Sequence, residues 1–339
     1  MDKFITKDKS KAMKFIFVVI MVILHVFGFP NRIAPYTYIS ILKIMGKPVE
    51  EYLASGSSVV VHLFLFISGY GMGLQKNINY YIICKRLKNL YKEYWSIFFI
   101  FVPIGYLLKI YRFNFLEFLQ NMIGLISTYN AEWWFLRAYV VYMLLYPLIY
   151  KKIKTYPKAS IVLAIFITGN GMILGKLMRD EIINSNLFLL ILASLMEYIY
   201  PFICGIVIVQ NRIFDRIEEK ILNFKVIFKI LFLFLIIFMC FIGDKNYIRH
   251  AFNFFTVPLF IFLLGMFNIE KNKFILKLSE FTTGIWLIHS FFCYYYFKNI
   301  VFIFRYSPLI LIWIILLSII SYKIINSIKN FLERKDNVI

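Results

Sequence analysis

Apolar residues recur along this chain in long blocks separated by short polar stretches. The blocks fall near 13–30, 57–75, 94–111, 133–150, 159–175, 187–209, 226–243, 250–267, 281–298 and 307–325. A bilayer-crossing helix needs roughly 17–25 apolar residues, and each block has about that length. A spanning segment must satisfy its backbone polar groups internally, so each block is expected to be a helix. The longest connection, 31–56, carries Pro35, Gly46, Pro48 and two glutamates, and leaves no room for a soluble domain. The pattern predicts an all-α polytopic integral membrane protein of about ten transmembrane helices. It is expected to be one transmembrane domain over 1–339, with short cytoplasmic tails at about 1–12 and 326–339. The first block is basic and then apolar without a small-x-small cleavage site, so it is read as a retained helix.

Composition agrees with the pattern. Of 339 residues, 61% are hydrophobic and 20% aromatic. That is too apolar for the two soluble domains that length alone would allow. The net charge of +20 would suit a nucleic-acid partner, but its distribution gives another reading. Placing the N-terminus inside puts 26 of the 38 Lys and Arg residues on the inner side and 11 on the outer side. This bias predicts an N-in, C-in chain and no nucleic-acid partner. Cys84, Cys204, Cys240 and Cys293 form no C-x-x-C pair and no His/Cys ligand spacing, so neither a disulfide framework nor a metal site is expected.

Ionisable groups inside spans are costly and mark candidate sites. Lys14 and His25 lie eleven residues apart, close to three helical turns, and so share a face about 16 Å apart along the axis. Lys14 would sit at the cytoplasmic surface and His25 toward the outer leaflet. That geometry suits a long substrate with an anionic head and a reactive far end. Equally, Lys14 could be an anchor that snorkels and His25 a hydrogen-bonding partner for a neighbouring helix. Glu197, in the middle of the sixth block, either orients a histidine or makes a buried structural bond. Arg137 follows A-E-W-W; it binds an anion or snorkels to the interface with Glu132 nearby. Tyr139, Tyr142 and Tyr146 are spaced to line a cavity or to pack. His62 and His289 read on position alone as core histidines. S-G-Y-G-M-G at 68–73 lacks the strand and the Lys-Ser/Thr of a phosphate loop, so its glycines are expected to permit close helix approach. No G-x-S-x-G and no H-x-x-x-D occurs.

Five stretches together resemble the bacterial membrane acyltransferase-3 family. They are Lys14 with His25 ten intervening residues later, F-L-F-I-S-G-Y-G-M (64–72), C-K-R-L-K-N-L-Y-K-E-Y-W (84–95), W-W-F-L-R-A-Y-V-V-Y-M-L-L-Y-P-L-I (133–149) and T-T-G-I-W-L-I-H-S-F-F (282–292). The resemblance implies O-acylation of a glycan in the bacterial cytoplasmic (inner) membrane. Acyl-CoA, acetyl-CoA above all, is the implied donor co-substrate, with no permanently bound cofactor. The implied acceptor is a cell-surface or exopolysaccharide glycan or its lipid-linked precursor, and proteins of polysaccharide assembly are implied partners. Carried over by position, His25 is the candidate base or acyl carrier, with Glu197 and Ser68 as further catalytic candidates. Lys14, Lys85 and Arg86 are candidates for the CoA phosphates, and Arg137, Trp134, Tyr142 and His289 for substrate. The chain departs from the pattern in having Lys rather than Arg at 14, and no fused hydrolase-type domain is expected. A glycan transporter and a structural subunit of an assembly complex remain alternative readings.

Overall fold

The computed structural model describes residues 3–75, 78–182, 186–221, 225–241 and 246–336. Parts of the expected tails and the end of the 226–243 block lie outside these residues. Helices dominate. The only sheet among the described residues is a hairpin of Lys43–Ile44 with Lys47–Pro48. Its two-residue turn, Met45 and Gly46, takes φ of 50° and 81°, the left-handed pair that a tight hairpin requires.

A helix lies over each of the ten apolar blocks, but they are not ten equivalent spans. Five helical segments among the described residues are long and apolar enough to cross a membrane: Lys7–Phe27, Val49–Gly73, Pro157–Arg179, Leu187–Gln210 and Ser307–Phe331. A sixth is counted only if Thr282–Tyr295 and Lys298–Phe304, bent by 96°, form one broken span. Val226–Phe241 and Phe252–Gly265 are apolar but shorter. The blocks at 94–111 and 133–150 lie largely within Tyr80–Leu107 and Trp134–Thr155. Tyrosines, tryptophans and charges dilute the apolar content of these two helices, which still expose Trp95, Phe99, Leu107, Leu144, Leu145 and Leu148.

By contacts the described chain divides into two compact units of discontinuous segments. The first comprises Met1–Phe17, Val59–Ile83 and Ala138–Leu276, and the second Val18–Ser58, Cys84–Arg137 and Lys277–Ile339. Helix α1 (Lys7–Phe27) contributes its first half to one and its second half to the other.

The first unit is organised around two glycine-bearing helices, Val60–Gly73 and Ile199–Gln210. A Cβ on Gly69 would fall 2.0 Å from the carbonyl oxygen of Phe202, and one on Gly205 would fall 2.2 Å from that of Phe66. One turn on, a Cβ at Gly73 would meet Val209 at 2.5 Å, whereas Gly71 faces open space. Small residues every four positions thus let two backbones touch, as S-G-Y-G-M-G predicts.

The second unit holds the helices Thr282–Ser290 and Ser307–Asp336 against each other. A Cβ on Gly284 would meet the Tyr322 ring at 2.4 Å. Glu93, on Tyr80–Leu107, accepts from Tyr322 Oη at 2.6 Å and from Lys329 Nζ at 3.2 Å. The connection 31–56 is pinned as well. Glu50, 3% exposed, accepts from the Ser40 and Ser307 hydroxyls at 2.5 Å each and from the Ile41 amide at 3.0 Å. A buried carboxylate needs such donors, and here they tie the loop to the start of the last helix.

Candidate active site

The second unit contains a pair of histidines. His25 lies near the end of α1, and His289 is one residue from the end of Thr282–Ser290. His25 Nδ1 is 2.7 Å from His289 Nε2, and the rings stack with centroids 5.0 Å apart and planes within 9°. His289 is fully buried, while His25 is partly exposed.

The backbone sets the protons on this pair. His289 Nδ1 is 3.0 Å from the Ile285 carbonyl oxygen and 2.9 Å from that of Trp286. A carbonyl oxygen only accepts, so Nδ1 carries the hydrogen. In the neutral ring Nε2 is then an acceptor. The short contact therefore runs from His25 Nδ1–H to His289 Nε2. That leaves His25 Nε2 with a lone pair on the accessible ring. A buried histidine thus fixes the tautomer of its more exposed partner.

Beside the pair runs a polar wall. Glu132 has a side chain only 5% exposed and accepts from Arg32 Nη1 at 2.9 Å. Tyr294 Oη donates to the same Glu132 oxygen at 2.8 Å, and Tyr295 Oη to the other at 3.4 Å. Adjacent residues of an α-helix diverge by about 100°. These two tyrosines sit in a π-helical turn, Phe291–Tyr295, where both hydroxyls reach one carboxylate. Such turns concentrate at functional sites. Burial opposes the charge on Arg32, but the Tyr294 hydroxyl and the Glu132 carboxylate outweigh it and hold the guanidinium above its ordinary range.

The stretch carrying Glu132 is clamped on both sides. Asn130 caps the short turn Ala131–Trp133 by accepting from the Glu132 amide at 3.2 Å, and its Nδ2 donates to Ser290 Oγ at 2.7 Å. Trp133 Nε1 donates to the Leu287 carbonyl at 3.0 Å, and the Ala131 amide to Tyr295 Oη at 3.0 Å. Upstream, the fully buried Asn121 accepts from the Thr128 amide at 3.0 Å and donates to the Thr128 hydroxyl at 2.8 Å. The polar groups of this stretch are thus paired with one another, as a buried network requires.

Residues 9–323 match the family model of an acyltransferase domain, the acyltransferase-3 type. The chain belongs to the acyltransferase-3 family. No curated protein and no solved structure matches it. Its apolar helices and its family together make it a membrane acyltransferase.

Of the residues that spacing and resemblance single out in this acyltransferase, the structure brings His25 and His289 together. Arg137 and Trp134 share their unit. Arg137 Nη1 donates to the Leu125 carbonyl at 2.6 Å, tying down the loop before the site rather than pairing with Glu132. Trp134 is half-buried, and its neighbour Trp133 is the tryptophan locked to Leu287. Lys85 is exposed and Arg86 half-buried on Tyr80–Leu107, also in the second unit.

Lys14, Ser68, Tyr142 and Glu197 belong to the first unit. Lys14 is half-buried on α1. Ser68 Oγ donates to the Phe64 carbonyl of its own helix at 2.7 Å, and Tyr142 Oη to the Leu195 carbonyl at 2.5 Å. Glu197 closes Leu187–Glu197 at a break, before the next helix starts at Ile199, and lies in the field of Arg179. His62 packs its ring on Tyr198 with centroids 4.9 Å apart.

Residue pattern alone missed Arg32, Asn130, Glu132 and Tyr294 as parts of the site. Asn130 preceding Ala-Glu-Trp was a legible cap signal. Glu132 was visible too, but its partner Arg32 stands 100 residues away, in the long connection.

Proposed function

We propose that this acyltransferase moves an acetyl or similarly short acyl group from cytoplasmic acyl-CoA to a hydroxyl of a cell-surface or exopolysaccharide glycan, or of its lipid-linked precursor. The observation that carries the reading is the His25–His289 pair, which leaves His25 Nε2 unprotonated on the more accessible ring. Acyl transfer to a hydroxyl needs a base at the attacking oxygen. His25 Nε2 takes that proton as the oxygen attacks the thioester carbonyl. The positive charge that develops on His25 is shared through Nδ1–H with His289, which is held in turn by two backbone carbonyls. The charge bias of the loops supports N-in, C-in insertion. His25, near the end of α1, then lies toward the outer face, away from the cytoplasmic donor head groups. Lys14, Lys85 and Arg86 are the cations proposed for those phosphates, since point charges suit phosphate.

The test is the glycan O-acetyl content of cells carrying His25→Ala, with membrane insertion verified. The expected result is loss of O-acetyl groups with glycan export intact. Normal O-acetylation with export lost would move the reading to transport.

A further inference from the structure

Resting on that acyltransfer reading, we infer that the free edge of the Arg32 guanidinium is the donor that stabilises the tetrahedral oxyanion formed beside His25. In the step, a hydroxyl oxygen bonds to the thioester carbonyl carbon. The carbonyl π pair moves onto its oxygen, and the hydroxyl proton passes to His25 Nε2. Collapse re-forms the carbonyl and breaks the C–S bond, and the departing thiolate takes the proton back from His25. The charge on the carbonyl oxygen appears only between those two events. A preorganised donor aimed there is usually the largest single contribution to such catalysis.

Three observations assign that donor. First, Arg32 and His25 stand on the same two rings. The His25 ring lies 6.4 Å from Phe29 and 6.5 Å from Tyr294, and the Arg32 guanidinium carbon lies 4.6 Å and 5.3 Å from them. Second, among the described residues the tyrosine, indole and side-chain amide donors of the wall are already engaged. Tyr294 and Tyr295 donate to Glu132, the Trp286 indole to the Glu132 carbonyl, the Trp133 indole to Leu287 and the Asn130 amide to Ser290. Lys298 spends its ammonium on the Arg32 and Ala34 carbonyls at 3.2 and 2.9 Å, which anchors the short helix Pro30–Ile33 carrying Arg32. Third, Arg32 is held by one corner only. Among the described residues its hydrogen bonds all run through Nη1, to Glu132 and Tyr294, and its side chain is 43% exposed. Nε and Nη2 therefore remain available on a guanidinium whose orientation the buried carboxylate has already fixed. A planar fork held at one end loses little freedom when it binds at the other.

The experiment uses membrane vesicles carrying the full chain, with labelled acetyl-CoA as donor and the host's own polysaccharide fraction as acceptor. Wild type, His25→Ala, Arg32→Lys, Arg32→Gln and the double variant Arg32→Gln/Glu132→Gln are compared. The double variant replaces the ion pair by a neutral pair and so keeps the clamp without the charge. The expected result is that it inserts like wild type and keeps the KM for acetyl-CoA within a few fold. Its kcat falls by about 10²–10³, the usual cost of one oxyanion donor. Arg32→Lys, which keeps the charge but loses the fork, falls in between. A double variant that turns over within threefold of wild type overturns the assignment and leaves Arg32 a structural partner of Glu132. Wild-type vesicles no faster than His25→Ala vesicles refute the acyltransfer reading itself, and the assignment with it.

Discussion

His25 Nδ1 and His289 Nε2, 264 residues apart in the chain, are 2.7 Å apart in the fold. The direction of that bond follows from the two carbonyls holding His289 Nδ1. In the acyl transfer proposed above, it gives the pair separate tasks, one imidazole reactive and the other orienting it.

Replacing His289 with alanine frees His25 to adopt either tautomer and removes the acceptor for its Nδ1 proton. Acyl transfer is expected to fall by about 10²-fold, the lower end of what a misplaced general base costs. His289→Gln restores part of the rate, because its amide can accept from His25 while donating to a carbonyl. Rates of inserted protein in vesicles check this. An alanine variant as fast as wild type would rule out the orienting role.

The two halves of the Arg32–Glu132 pair are expected to be unequal. Arg32→Ala leaves a carboxylate with a 5% exposed side chain facing only tyrosine hydroxyls, and breaking a buried pair in this sense costs about 3 kcal/mol. Glu132→Ala leaves an arginine that is 43% exposed and can turn to water, at about 1 kcal/mol. Thermal unfolding in detergent should therefore show the larger loss for Arg32→Ala, and the reverse order would contradict this picture of the pair.

Helix contact in the first unit rests on bare backbone. Gly69→Ala and Gly205→Ala would each drive a methyl to within 2.2 Å of a carbonyl oxygen, and are expected to cost about 1–3 kcal/mol apiece. Gly71→Ala, with nothing within 4 Å, is the matched control and should melt like wild type. Melting temperatures of the three variants decide the point, and equal shifts would refute the contact.

Cys84 is exposed, whereas Cys204, Cys240 and Cys293 are buried. The proposed N-in insertion would place Cys84 on the cytoplasmic side. In intact cells it should react with a membrane-permeant maleimide and resist a charged, impermeant one, while both label broken membranes. Labelling of intact cells by the impermeant reagent would reverse the orientation.

The helical, membrane-bound character of this protein is written in the linear order of its residues. Lipid offers no hydrogen bonds, so apolar length alone dictates helix, and each apolar block lies under one. His25 stands out in the same way, because an ionisable group in an apolar run is costly. Gly69 and Gly73 are legible for a related reason, since four-residue spacing puts them on one face. Neighbours along the chain cannot show which distant residues will meet. His289 read as a core histidine because nothing near it names His25. Glu132 suggested Arg137, five residues on, rather than Arg32 in a loop with no periodicity. A span count by length could not anticipate a 96° bend between two apolar helices. Folding settles all of these, because direct hydrogen bonds and ion pairs act only over the few ångströms that it closes.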